Sequence, residues 1–279
     1  MRRLRGPRGA GGTILLALLV GVILAFLAIP LVALVAETPL RRLPTIVREE
    51  AVIDAIRITA ETNVLANLII TVVGTPAAYL LATRRFRGRN AVLTMLEVPL
   101  VLPPAVAGVG LLAAYGRFGL LGQYLDAYGI LIPFSTIAVV LAIVFVAAPY
   151  YLRQAIAAFE AVDPTVVAAG RTLGAGPGRA FATIALPLAA SGLIAGWALS
   201  FARGVGEFGA TLLFAGNVQG VTQTLSLAIY DQLEGDFSIA LAISVILLVF
   251  STGVLVAAKL VPTWTASAST SRSLSATSR

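Results

Sequence analysis

The side chains that could do chemistry in this chain are few, and they cluster. The stretch from Phe208 to Tyr230 carries no Asp, Glu, Lys or Arg, yet it holds Thr211, Asn217, Gln219, Thr222, Gln223 and Thr224, with Gly216 and Gly220 among them. Hydroxyls and carboxamides of this kind exchange hydrogen bonds with a ligand without adding charge. Just upstream, Arg203 and Glu207 stand four apart, the spacing at which opposite charges on a continuing helix pair on one face and neutralise each other. Cysteine and histidine are both absent. That excludes a disulfide framework, Cys/His metal sites, thiol nucleophiles and His-based acid–base catalysis. The chemistry left is recognition by neutral polar groups.

The elements that must position these groups follow from composition. Of 279 residues, 58% are hydrophobic and 12% charged, against roughly 45–50% apolar and 25% charged in an average soluble domain. The net charge of +7 sits in short clusters between apolar runs, not on one polar surface, which argues against nucleic-acid binding. Seven charge-free stretches reach the ~17–25 residues that cross a hydrocarbon core: 12–36, 62–83, 98–116, 127–152, 180–202, 208–230 and 237–258. The sixth contains the polar, glycine-bearing run 216–224, which suits neither lipid contact nor regular helix, so it reads as a loop or re-entrant element. The expected fold is all-α, with spans at about 13–36, 62–83, 92–116, 134–156, 180–203 and 237–260, together forming a permease domain over 13–262.

With the N-terminus inside, the inner segments hold 14 of the 20 basic residues, including Arg2, Arg3, Arg5, Arg8, Arg84, Arg85, Arg87 and Arg89. The outer segments hold Arg41, Arg42, Arg48, Arg57, Arg117 and Arg203. Residues 1–12 and 263–279 are therefore expected to be cytoplasmic. The latter, rich in Ser, Thr and Ala, is expected to be a disordered tail. The apolar run after Arg8 is longer than a signal-peptide core and reads as an uncleaved first helix.

Two places depart from plain lipid-facing helix. Pro99, Pro103 and Pro104 fall within one span and must kink or break it. Glu97, just before them, belongs at the cytoplasmic interface. Between the fourth and fifth spans, Asp163 followed by Pro164 forms an N-cap and first helical position, and Gly174 a C-terminal stop. This predicts a short cytoplasmic helix within about 163–178, with Ala168, Ala169 and Gly170 admitting a close approach and Arg171 and Arg179 available for ionic contacts.

That segment carries a resemblance. Ala168-Ala169-Gly170, three residues, Gly174, nine residues and Ile184-Ala185-Leu186-Pro187 resemble the cytoplasmic "EAA" signature of type I ATP-binding-cassette importer permeases. Ala168 stands where that family usually has Glu, and Gly170 where it has the second Ala. The block Gly206 to Asn217, with Val221 to Leu225, is similar to molybdate/tungstate permeases, and less so to sulfate permeases.

The resemblance implies a multi-pass permease subunit in the cell membrane of a prokaryote, contacting lipid. It implies a second permease copy as homodimer partner, a cytoplasmic ATPase dimer that carries ATP and Mg, and an extracytoplasmic oxyanion-binding protein. The chain has no Gly-x-x-x-x-Gly-Lys-[Ser/Thr] loop, so no cofactor is expected on it and no catalysis by it. The resemblance assigns coupling to the ATPase to Ala168, Ala169, Gly170, Arg171, Gly174 and Pro187. The translocation path or gate is expected at Pro103, Pro104, Glu207, Phe208, Thr211, Asn217, Thr222 and Gln223, because a dianion is best passed by a neutral hydrogen-bonding lining that does not trap it. A sulfate/thiosulfate permease is the near rival. An ion-coupled secondary carrier is the distant one, disfavoured because no ionisable residue falls at the centre of a span.

Overall fold

The computed structural model describes residues 10–276; the basic residues Arg2, Arg3, Arg5 and Arg8 and positions 277–279 lie outside the described residues. Long runs of Leu, Val, Ala and Ile must satisfy their backbone internally in hydrocarbon, and they do so as helices; no strand occurs among the described residues. In chain order these are α1 (Ala10–Glu37), α2 (Leu43–Ile46), α3 (Glu50–Thr83), α4 (Arg89–Val101), α5 (Pro104–Tyr115), α6 (Gly122–Asp126) and α7 (Thr136–Glu160). There follow α8 (Pro164–Thr172), α9 (Pro177–Ala180), a π-helical turn (Phe181–Ala185), α10 (Leu186–Val205), α11 (Gly209–Ala215), α12 (Leu225–Glu234) and α13 (Phe237–Ala276). Five rods are long and apolar enough to cross a membrane, the fourth of them running unbroken from Pro177 to Val205 through α9, the π turn and α10.

A sixth candidate is α4 and α5 together, which are long and apolar enough only as a pair and are bent by 114° where Pro103 and Pro104 follow Leu102. The bend is a true break. Neither proline can donate to the preceding turn, so α5 starts afresh with Pro104 in its first turn. The two arms still run from one end of α7 to the other. Arg89 bonds Glu160 at the C-terminal end of α7, while Leu112 and Gly116 line a recess with Pro133 and Phe134 just before its N-terminal end.

At the centre lie α3, α7 and α10. Ala138, Val139, Ala142, Ile143, Ala147, Tyr151 and Ala155 of α7 are buried there. Lipid tails are as apolar as these residues, so association depends on close fit and interhelical polar contacts. Gly192 and Gly196 of α10 supply the fit against α7: a Cβ at Gly192 would lie 2.5 Å from Cβ of Ala158, and one at Gly196 3.0 Å from Cβ of Gln154. In contrast, α1 packs chiefly beside α13, and none of its most apolar stretch is buried within the chain.

Two boundaries differ from the sequence reading. The second helix starts at Glu50, well before 62, because a charge-free window marks only the part that must be buried in hydrocarbon. Its first turns carry Glu50, Asp54 and an Arg57–Glu61 pair at 3.0 Å. The last helix continues to Ala276, so positions 263–276, expected as disordered tail, are helical. Adding residues to an existing helix avoids the cost of nucleating a new one, which carries it on through a stretch whose Ser and Thr are only modest helix formers.

Gly204 tests the central packing, since a Cβ there would lie 2.6 Å from Oδ1 of Asn63 and 2.8 Å from Cγ2 of Ile143. Gly204→Leu is expected to destabilise the detergent-purified protein by about 1–3 kcal/mol through overpacking, read as a lower thermal midpoint. Gly21→Leu on α1, where nothing lies within 4 Å, should leave the midpoint unchanged. Equal midpoints for the two variants would refute the packing scheme.

Candidate functional site

The short helix predicted between the fourth and fifth spans is α8, and its ends are built as the sequence suggests. The Asp163 carboxylate accepts from the backbone N–H and the hydroxyl of Thr165, both at 2.8 Å, and these bonds hold its carboxyl below the usual carboxylate range. Pro164 occupies the first turn, where its missing N–H costs nothing. At the other end Gly174 sits at φ +90°, a left-handed conformation that closes the helix, with its N–H donated to the Arg171 carbonyl at 3.0 Å.

The two halves of the signature meet in space. Gly170 of α8 rests directly on Cδ1 of Ile184 in the π turn, so a Cβ there would have to push the end of that side chain aside. The π turn itself follows from Pro187: with no N–H to give, and a ring that would clash with the Thr183 carbonyl, it forces a wider register in which Leu186 N–H bonds the Phe181 carbonyl. Thus α8 is seated on the base of the rod that becomes α10. Around this seat Tyr79, Phe159 and Phe181 pack together, with ring centroids 4.8 to 6.1 Å apart. Arg89 ties the ends of α3 and α7, donating to the Leu81 carbonyl at 2.7 Å and to Glu160 at 2.6 Å.

Ala168 and Arg171 turn towards the bundle and line a recess with the ends of α3 and α7. Val166 and Leu173 stand out from the opposite side of α8, with Leu173 89% exposed. Ala169 is exposed as well.

The polar cluster lies at the other end of the bundle. Glu207, 2% exposed, contacts the Arg203 guanidinium at 2.7 Å, and its Oε1 accepts from Ala210 N–H at 2.8 Å at the start of α11. One carboxylate therefore joins α10 to α11. Asn217 and Phe208 are half-buried, and Phe208 stacks near Tyr230 at 5.3 Å. Pro103 and Pro104 are exposed at the helix break, with Pro104 against Gly209.

Thr211, Thr222 and Gln223, expected to line a path, are buried within the chain. Thr222 Oγ1 accepts from Val218 N–H at 2.9 Å, and the N–H groups of Val221, Thr222 and Gln223 all reach the Val218 carbonyl. Thr136 and Thr59 bind the same loop from α7 and α3, at the Val221 carbonyl and the Leu225 N–H. These hydroxyls fold the loop onto the bundle. The sequence reading missed Asn63 and Asn67, which are fully buried: Asn63 donates to the Phe201 carbonyl at 3.1 Å and Asn67 to Asn63 Oδ1 at 2.6 Å. Two carboxamides four apart in an apolar helix were the available signal.

With a broken third span, a capped helix at one end and a folded polar loop at the other, the chain belongs to the family described as binding-protein-dependent transport system inner membrane component, whose pattern matches residues 70–263. Among its relatives is the molybdenum transport system permease protein ModB of Mycobacterium tuberculosis, 42% identical over 228 residues, covering 81% of this chain and 86% of the relative. ModB of Escherichia coli K12 is 41% identical over 182 residues, covering 65% and 80%. A bacterial alginate ABC transporter, solved with its pentasaccharide-bound periplasmic protein, superposes with a TM-score of 0.69 at 18% identity, covering 88% of this chain and 92% of that one; at that identity the likeness is one of fold.

Seating of α8 on Ile184 can be measured directly. Gly170→Leu is expected to lift α8 and speed tryptic cleavage after Arg171 several-fold in the purified protein, and adding Ile184→Ala should return the rate towards that of the unsubstituted chain. Unchanged cleavage in Gly170→Leu would disprove the contact.

Proposed function

We propose that this chain is the membrane-spanning permease subunit of an ATP-driven importer for molybdate and tungstate. The observation that carries the reading is 42% identity to a molybdenum permease over most of both chains, joined to a capped α8 seated on the rod of α10. The oxyanion is delivered by an extracytoplasmic binding protein. A cytoplasmic ATPase dimer, with ATP and Mg bound to it, grips the exposed face of α8, and two copies of the permease enclose the path. The α8 end and both termini lie on the cytoplasmic side of a prokaryotic cell membrane, in keeping with the basic residues at 84–89, 171 and 179.

The mechanism follows the rigid connections. When the ATPase pair closes, it displaces α8. Gly170 on Ile184 passes that displacement to the rod from Pro177 to Val205, about 43 Å long at 1.5 Å per residue. At its far end Glu207 hands the motion to α11, which packs against α5 beside the proline break. Opening and closing thus occur where Pro103, Pro104, Phe208 and Asn217 gather, and the enclosed Thr211, Thr222 and Gln223 come into play as the α11 loop moves. The oxyanion meets hydroxyls, carboxamides and backbone N–H groups there, while Glu207 and Arg203 neutralise each other.

In a host lacking its own molybdate permease, co-expression with the cognate ATPase and binding protein is expected to restore uptake of labelled molybdate. Equimolar tungstate should roughly halve it, and excess sulfate should leave it unchanged. Sulfate competing as well as tungstate would replace this reading by a sulfate permease, and uptake without the ATPase would replace it by a secondary carrier. Gly174→Trp, forced into φ +90°, should abolish uptake with membrane insertion intact; normal uptake would remove the coupling role of α8.

A further inference from the structure

The recess beneath α8 has a volume of about 550 Å³ and is walled by the last turns of α3 and α7, the inner side of α8 and the start of α9. Its polar lining is cationic: Arg84 from the end of α3 and Arg171 from α8 both border it, and no carboxylate does. The nearest acids in sequence are engaged, Glu160 by Arg89 and Asp163 by Thr165. Neither Arg84 nor Arg171 has an ion-pair partner among the described residues. The remaining wall is apolar and aromatic, with Tyr79, Leu80, Phe159 and Val167.

We infer that this recess binds the phosphate headgroup of an anionic phospholipid, with Arg84 and Arg171 as its two ligands. Guanidinium groups match phosphate oxygens in paired, charge-assisted hydrogen bonds. Basic pockets between spanning helices, where the helices end and water begins, have the charge and depth for a lipid head. The apolar wall selects lipid over free phosphate. From Leu80 the surface continues along one face of α3 through Val73 and Ile69, all exposed, at the spacings of a single helical stripe. That stripe covers about 16 Å of helix, room for much of an acyl chain below its head. The ATPase is a poorer occupant, because the α8 residues that border the recess, Ala168 and Arg171, lie on the opposite face of the helix from the exposed Val166 and Leu173. A lipid held here braces α8 against α3 and would tune how stiffly the seat on Ile184 follows its driver.

The full chain, reconstituted in phosphatidylcholine vesicles doped with a photoreactive phosphatidylglycerol, tests this. Irradiation and peptide mapping should place crosslinks within 79–84 and 164–171. Arg84→Gln with Arg171→Gln should lower their yield about thirtyfold, the scale set by two basic contacts to an anionic surface. Crosslinks on α1 serve as the control for an intact bundle and should not change. If the double variant cannot be purified, each single variant is read the same way, with about a fivefold loss expected. The site is refuted if the yield at those peptides survives the substitutions, if a phosphatidylcholine probe labels them equally, or if millimolar inorganic phosphate displaces the lipid probe, which would assign the arginines to a soluble anion.

Discussion

In hydrocarbon, an apolar side chain gains little by turning inward, so helices stay together only where their backbones approach closely and their polar groups find one another. Along α10 that approach is set by Gly192, Gly196 and Gly204, against α7 and α3. Everything functional hangs from this contact. It fixes the rod whose base receives α8 and whose tip carries Glu207, and it brings Asn63 within reach of the Phe201 carbonyl. A bundle joined by bulky side chains would slide more readily and transmit less.

The polar groups divide by location. Near the tip of α10 they are neutral or mutually neutralised, and the adjoining backbone is held to α7 by Thr136 at Val221 and to α3 by Thr59 at Leu225. Near α8 they are cationic and only partly paired. Under the proposed function, this distribution suits passing a dianion without retaining it at one end and docking to an ATPase at the other.

Much of this was legible in the residues. Asp163-Pro164 and Gly174 specify both ends of α8 because capping is local chemistry, and the proline cluster specifies a break for the same reason. The start of α3 at Glu50 was hidden because exposed helical turns tolerate charge, so absence of charge reports burial in lipid and says nothing of where a helix begins. The burial of Thr211 and Thr222 was hidden too. A hydroxyl serves a ligand and a neighbouring backbone equally well, and only the packing of α11 and its loop decides between them. Gly170 could be seen as an oddity in its motif, but Ile184 lying against it is a contact across chain positions that no local pattern contains.

The bareness of α1 has its own consequence. The family pattern takes hold at residue 70, inside α3, and leaves this helix out. Its most apolar stretch has a mean hydropathy of 3.0 and none of it is covered by the rest of the chain, so within the chain α1 is held by its greasiness more than by its fellows. What the helix owes its place is therefore greasiness and reach, the latter matched to the thickness of the sheet it crosses.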